Sequence, residues 1–406
     1  MDTSITPAMA FTALDFTGVR ALIRVDFNVP LAEMAADGTR EVTDDTRIRA
    51  ALPTIQHVLN SGGSVVLMSH LGRPKGADPL YSLRHVVPVL EGLLGRAVQF
   101  AADCVGDEAL EVSQSLKSGE VALLENLRFH AEEKAGDEFF AGQLAENGDF
   151  YINDAFGTAH RAHASTAIIA RFFPEDKAFG LLMEGEVKAL EQVLGAPESP
   201  VVAVIGGAKV SSKLAVLKNL LDRVDRLVIG GGMAYTFIQA QGGSIGNSLV
   251  ESDMHAEALA LLDAAKAKGI DVHLPIDTMC GDRFDAEAAQ AVHPTNAIPD
   301  GWEGMDIGPQ SREAFAVALA DCKTILWNGP MGVFEFDRFA AGTNDIADAI
   351  VKATASGAYS LIGGGDSVAA INKAGLADQV SYVSTGGGAM LESLEGKTLP
   401  GIAAIL

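Results

Sequence analysis

Ten apolar runs of strand length recur along the chain and run out into Gly, Asp, Asn or His. Four lie in the first half: ALIRVDFNV (21–29), SVVLMSHLG (64–72), VALLENLRF (121–129) and DFYINDAFG (149–157). Six follow in the second: PVVAVIGGA (200–208), RLVIGGGMA (226–234), DVHLPIDT (271–278), KTILWNGPMG (323–332), YSLIGGGDS (359–367) and VSYVSTGGG (380–388). Runs so rich in Val, Ile and Leu predict strands buried on both faces of a parallel sheet. Between them, DDTRIRAALPTIQHVLN, SSKLAVLKNLLDRV, SDMHAEALALLDAAKAKG and TNDIADAIVKATASG carry apolar residues at three- and four-residue spacing, the helical period. Strand and helix alternate throughout, so the predicted class is α/β, doubly wound.

A chain of 406 residues exceeds what one hydrophobic core of roughly 250–300 residues can serve. The pattern places the division at MEGEVKALEQVLGAPESP (183–200), where EVKALEQVL reads as a connecting helix stopped by Gly-Ala-Pro. The expected domains are 1–182 and 198–390, with 183–197 between them. Gly is high at 43 residues and Pro modest at 15, which predicts tight backbone loops in place of flexible linkers.

The formal net charge of −23 argues against wholesale binding to nucleic acid or to an anionic membrane surface. Three scattered cysteines, Cys104, Cys280 and Cys322, form no CxxC and fit no disulfide or zinc pattern, which predicts a reducing compartment. The opening MDTSITPAMAFTALDF lacks a basic stretch and predicts no secretory signal. No apolar run reaches the ~18–20 residues of a membrane span. A cytoplasmic protein is expected.

Against that acidic background positive charge is unevenly placed. Eleven of the sixteen arginines and six of the nine histidines precede residue 180. Several fall at predicted strand ends: Arg24, Asp26 and Asn28 in RVDFN, His70 and Arg73 in SHLGRPKG, Arg128 in LENLRFH, and His160, Arg161 and His163 in GTAHRAH. Arg47 opens the helix after DDT. A single arginine there is ordinarily a solvated surface group; several at successive strand ends converge on one sheet edge. Planar guanidinium forks with neighbouring imidazoles make a socket for phosphate or carboxylate. His160 and His163 could instead be metal ligands or structural histidines, but no third ligand stands at a familiar spacing.

In the second half GGAKVSSK (206–213) follows a strand and enters a helix, placing Gly206, Gly207, Lys209 and Lys213 where backbone N–H groups and lysines meet a phosphate. IGGGDS (362–367) adds Asp366 after Gly363, Gly364 and Gly365, with Ser367 following; a carboxylate beside phosphate-binding amides suits Mg²⁺, and an N-cap aspartate is the simpler reading. GGGMAY (230–235), with Gly230 and Gly231, and STGGGAM (384–390) are tight turns or a flat shelf for a base. WNGPMGVFE (327–335) contributes Asn328 and ends in Glu335, an acceptor for ribose hydroxyls or an exposed glutamate. No GxGxxG follows a strand, which counts against a nicotinamide dehydrogenase, and EGKT (395–398) lacks the first glycine of a P-loop because Leu391 stands there.

Nine stretches in order, RVDFNVP, SHLGRP, LLENLRFH, YINDAFGTAHRAHAS, GGAKV, IGGGMAYTF, WNGPMGVFE, IGGGDS and VSTGGGAMLE, closely resemble the phosphoglycerate kinases. The resemblance implies two Rossmann-like lobes with parallel sheets, joined by an interdomain helix, with a tail (391–406) returning to the first lobe. It implies a glycolytic monomer that moves a phosphoryl group between 1,3-bisphosphoglycerate and Mg-ADP, giving 3-phosphoglycerate and ATP. On the matching positions, Asp26, Asn28, Arg47, His70, Arg73, Arg128 and Arg161 bind phosphoglycerate, with His160 and His163 in support. Arg47 and Lys209 meet the transferring phosphoryl. Lys213, Asn328, Glu335, Gly363–Ser367, Gly206, Gly207, Gly230 and Gly231 serve the nucleotide, and Asp366 holds Mg²⁺. Ser212 stands where the family often has Asp, and Ser367 where Thr is common. Substrate sites in different lobes imply lobe closure before direct in-line transfer.

Overall fold

A computed structural model describes residues 10–36 and 38–406; residues 1–9, the start of the stretch read above for a secretory signal, and Asp37 lie outside the described residues. The chain divides into two units, one running up to Lys188 and including Thr398–Leu406, the other spanning Ala189–Lys397. The division passes within helix Leu181–Leu190, which runs on into a π-turn over Glu191–Gly195. Residues 391–397 of the expected returning tail lie with the second unit.

In the first unit β1 (Arg20–Arg24), β2 (Ser64–Met68), β3 (Val98–Phe100), β4 (Val121–Leu123), β5 (Phe150–Asn153) and β6 (Lys177–Phe179) form one parallel sheet in the order β3-β4-β2-β1-β5-β6. Ile23 of β1 stands in register between Leu67 and Ile152. These residues share a core with Ile48, Ala51, Ile55 and Val58 from helix Thr46–Asn60. Two strands escaped the hydrophobic pattern, β3 and β6, and both are sheet edges. Each is only three residues, VQF and KAF, with a polar residue in it, so neither makes an apolar run. Four apolar runs also proved longer than their strands: β1 stops at Arg24, yet Val25, Phe27 and Val29 are buried in the loop that crosses the carboxyl end of the sheet. The chain jumps from β4 across β2 and β1 to β5, so β1 and β5 flank the switch point where ligands bind in such sheets.

In the second unit β7 (Val201–Ile205), β8 (Arg226–Ile229), β9 (Ser244–Ile245), β10 (Asp271–His273), β11 (Asp277–Gly281), β12 (Gln290–Pro294), β13 (Ala297–Ile298), β14 (Glu303–Ile307), β15 (Thr324–Asn328), β16 (Tyr359–Ile362) and β17 (Tyr382–Val383) follow. The parallel sheet has the order β10-β8-β7-β15-β16-β17, with the switch point between β7 and β15. A small antiparallel sheet, β12-β11-β14, stands apart from it. The run DVHLPIDT is therefore two strands of different sheets, broken around Pro275, whose missing N–H cannot continue a ladder. At the switch point the loops touch backbone to backbone. A Cβ on Gly206 would overlap the Pro330 carbonyl and lie 2.6 Å from the Gly329 carbonyl oxygen.

Two stability predictions follow from these contacts. Gly206→Ala should cost about 1–3 kcal/mol or more, as overpacking against rigid backbone does, whereas Gly92→Ala, in open space on helix Val87–Leu94, should be neutral or stabilising. Urea midpoints that fall equally for both would refute the packing argument. Asp154 at the end of β5 accepts the Leu182 and Met183 N–H groups at 3.0 and 3.2 Å, capping helix Leu181–Leu190. Burial outweighs those bonds and pushes its carboxyl up to about 6 from an ordinary 3.8. Between those values the folded chain keeps a proton that the unfolded chain loses, so the group's contribution declines as pH rises from about 4 to 6. The stability of the parent relative to Asp154→Asn should fall by roughly 3 kcal/mol across that window; parallel pH profiles would refute it.

Candidate functional site

The first unit gathers its positive charge around a side chain that has no access to water. Arg24, at the carboxyl end of β1, is 1% exposed. Its Nε donates to Ser165 Oγ at 3.0 Å, one terminal nitrogen donates to the Val25 carbonyl, and the other to His70 Nδ1 at 3.2 Å. Because an arginine can only donate, His70 Nδ1 accepts, and the neutral ring carries its proton on Nε2. Burial, then the charges of Arg24, Arg128 and Arg47, hold the His70 pKa well below the usual value.

Beneath Ser165 lies Glu133, fully buried, accepting the Ser165 N–H at 2.9 Å and its hydroxyl at 2.7 Å. His163 Nδ1 is 3.7 Å from the same carboxylate. Burial alone would raise this carboxyl; the His163 bond, the Arg24 charge and Ser165 outweigh it and keep it below the ordinary range. Glu133 thus balances Arg24 as an anion.

Above this floor the loops after β1, β2 and β4 are laced together. Arg47, 43% exposed at its side chain, bonds Asp26 Oδ2 at 3.0 Å and the Asn28 carbonyl at 3.1 Å through one nitrogen. Asn28 Oδ1 accepts the Gly72 N–H at 2.8 Å, and Arg128 donates to the Gly72 carbonyl at 2.6 Å. Asn126 fixes the same corner, accepting the Leu71 and Arg128 N–H groups and donating to the Leu71 and Tyr81 carbonyls. Arg128 is pushed down to about 10, by burial first and then by Arg24 and Arg161, and stays charged near neutrality. Asp26, Asn28, Arg47, His70 and Arg128 are thus brought together through Gly72 and the Arg24 network. His163 joins from below, through Glu133. Arg161 and Arg73 are exposed, Arg161 close enough to act on Arg128 electrostatically, and His160 is half-buried.

The second unit builds with backbone. Gly207 donates to the Pro330 carbonyl at 3.2 Å, Gly231 to the Met331 carbonyl at 3.1 Å, and Met233 to the Gly207 carbonyl at 3.0 Å. A Cβ on Gly231, whose φ is +69°, would lie 2.7 Å from Gly207 N and O, and one on Gly230 would strike the Met331 thioether. Gly206, Gly230 and Gly231 are accordingly required by loop-on-loop packing, and Gly207 by its φ of +118°.

Lys213 donates to Asn328 Oδ1, and Asn328 Nδ2 donates to the Gly363 carbonyl at 2.9 Å, so one chain of bonds joins the loops after β7, β15 and β16. Burial lowers the Lys213 pKa, opposed by the charges of Asp366 and Glu395. Ser367 is buried, and its hydroxyl accepts the Gly329 N–H at 2.5 Å. Gly364 adopts φ +91° and opens helix Gly365–Lys373, leaving Gly365 and Asp366 exposed in its first turn. That exposed carboxylate, in a turn whose N–H groups suit phosphate, is the donor set a hard divalent ion with a nucleotide requires. Lys209 and Glu335 are exposed. Ser211 holds the Lys209 loop by donating twice to Glu251, at 2.9 and 2.6 Å, while Ser212 bonds only the Lys209 carbonyl at 2.8 Å.

Sequence reasoning missed Glu133, Ser165, Asn126 and Glu251. Glu133 sits in HAEEKAG beside an equivalent Glu132 that is exposed, and nothing local distinguishes them.

The sequence model of the family described as phosphoglycerate kinase matches residues 11–397. A phosphoglycerate kinase of Porphyromonas gingivalis is 53% identical, covering 98% of this chain and all of that one. A cytosolic phosphoglycerate kinase of Triticum aestivum is 51% identical over 96% of both chains. The solved phosphoglycerate kinase of Coxiella burnetii superposes with a TM-score of 0.89 at 40% identity, covering 98% of this chain and 99% of that one. That of Pyrococcus horikoshii gives 0.80 at 33% identity, over 97% of both. The chain belongs to the phosphoglycerate kinase family.

Proposed function

We propose that this phosphotransferase works by direct in-line transfer between substrates held on its two units, after those units close. The family's reaction passes a phosphoryl group from 1,3-bisphosphoglycerate to ADP. The observation that carries the reading is the convergence of Arg47, Arg128 and His70 at one sheet edge of a chain with net charge −23, over a floor already neutralised by Glu133.

A β-phosphate oxygen of ADP is already ionised and attacks the acyl phosphorus. The bond from phosphorus to the carboxyl oxygen breaks, and 3-phosphoglycerate leaves as a carboxylate with that electron pair. No proton moves, so no general base is needed, and the protein's task is positioning and charge neutralisation. Asp26 and the Asn28 carbonyl fix one Arg47 nitrogen, leaving the rest of the guanidinium fork to meet phosphoryl oxygens. His70 offers an Nε2–H donor without adding charge. Lys209 neutralises the moving group, and Lys213, held by a neutral amide, keeps its full charge for the nucleotide phosphates. Gly363–Ser367 supply amides, and Glu335 meets the ribose. Asp366 would hold Mg²⁺, which spreads phosphate charge when bound. Closure keeps water from the acyl phosphate. The chain acts as a monomer in the cytoplasm on this reading; no described helix is long and apolar enough to cross a membrane.

Arg47→Ala should lower kcat by ~10³-fold or more while nucleotide affinity changes little; steady-state kinetics showing unchanged turnover would remove Arg47 from the mechanism. Asp366→Ala should weaken Mg-ADP binding and leave 3-phosphoglycerate affinity nearly intact, and calorimetry showing the reverse would overturn the assignment of ligands to units.

A further inference from the structure

The loops that follow β3 and β4 meet because those strands are neighbours in the sheet, and there they place together three metal-ligating residues that the mechanism does not use, one of them directly after the turn that carries Arg128. Asp103 and Cys104 stand in the turn before helix Gly106–Ser115, and His130 follows the short turn Leu127–Phe129. One ligand atom from each, a carboxylate oxygen, the Cys104 Sγ and a ring nitrogen, lies within 4.8 Å of the other two. From this geometry we infer that Asp103, Cys104 and His130 form a site for a divalent transition ion of the zinc class.

The donors are already oriented. Asp103 Oδ1 accepts the Cys104 N–H at 2.6 Å and faces His130 Nε2 at 2.7 Å. The His130 ring lies against Phe140, with centroids 5.1 Å apart and planes 32° apart. Asn147 donates to the Cys104 carbonyl at 3.4 Å. Cys104 is fully buried, while the side chains of Asp103 and His130 are 43% and 29% exposed, so an ion can arrive from the solvent side.

Zinc bonds of about 2.0–2.3 Å put tetrahedral ligand atoms roughly 3.3–3.6 Å apart. The His130–Asp103 contact must then open by less than about 1 Å, which a rotation of the exposed carboxylate supplies. Three protein ligands leave a fourth position for water. On binding, the Cys104 thiol, which burial holds protonated, gives its proton to solvent. The His130 ring keeps its proton on Nδ1, so that Nε2 is free to bind the ion. One thiolate and one imidazole favour the zinc class over Mg²⁺ or Ca²⁺, whose preference is for oxygen. Sequence spacing concealed the set, since Cys104 and His130 belong to different strand ends. An ion here ties the β3 and β4 loops together beneath the turn that carries Arg128.

The test uses the full chain, stripped of metal by a chelator and exchanged into chelator-free buffer, titrated with Co²⁺. One equivalent should produce a thiolate-to-cobalt charge-transfer band with the visible bands of a four-coordinate ion, both erased by Zn²⁺. Cobalt bound at Asp366 has oxygen ligands and gives no thiolate band. Cys104→Ser should abolish the charge-transfer band, and His130→Gln should weaken Co²⁺ binding by ~10-fold or more with turnover unchanged. Absence of the band from the parent chain overturns the inference, leaving a hydrogen-bonded His–Asp pair beside a buried thiol. Survival of the band in Cys104→Ser also overturns it, because the thiolate would then be Cys280 or Cys322.

Discussion

A buried guanidinium must be neutralised where it sits. Arg24 ends a central strand with almost no exposure, and taking such an ion from water costs several kcal/mol unless its donors and its charge are both met. Meeting them determines how the loops of the first unit are placed. The Val25 carbonyl turns in after β1, His70 arrives from the β2 loop, and Ser165 arrives from the segment after β5. Glu133 completes the balance through Ser165 and His163. The socket above can therefore gather Arg47 and Arg128 without stacking their charge on an unpaired cation below. Burial and the same network decide the protonation state of His70, which faces three guanidinium groups and is held well below its usual pKa.

The second unit solves a different problem with a different material. Its loops approach so closely at Gly206 and Gly329 that side chains are excluded and only backbone remains. Lys213 shows how charge is kept usable there. Its partner is the amide of Asn328, which holds the ammonium in place without cancelling it, whereas a carboxylate in that position would compete with phosphate. Asp366 and Glu395 act at longer range, enough to oppose the cost of burying the amine. The Ser367 hydroxyl accepts the Gly329 N–H and so ties the loop after β16 to the loop after β15.

What the sequence revealed follows from the range of the interactions involved. Central strands were legible because burial on both faces forces a run of apolar residues, and β3 and β6 were not, because three residues with a polar one among them make no apolar run. His70 and Arg128 were legible as polar side chains at strand ends, where a parallel sheet directs them to one edge, and Arg47 as the residue that opens the helix after DDT. Glu133 was not, since its burial depends on Ser165, thirty-two residues away. The antiparallel sheet β12-β11-β14 was hidden because DVHLPIDT carries one continuous apolar signal across two strands. Apolar runs overran the strands for a related reason: loops that cross the carboxyl edge are buried too, and periodicity alone does not separate a covered loop from a strand.

An acidic chain that binds anions faces a conflict between its long-range field and its sites. At physiological salt the field of surface carboxylates fades over about 8 Å, so the repulsion felt by an approaching phosphate is largely screened. Inside a socket the separations are far shorter and the surroundings drier, and a few fixed guanidinium and imidazole donors dominate. Attraction must then be concentrated, which is why Arg24, Arg47 and Arg128 gather at one end of the sheet and why a counter-charge is buried beside Arg24, at Glu133. Backbone amides suit the same constraint, since N–H groups at a helix start, such as that at Gly365, attract phosphate without altering net charge. The acidic surface and the anion sites are compatible because they act over different distances.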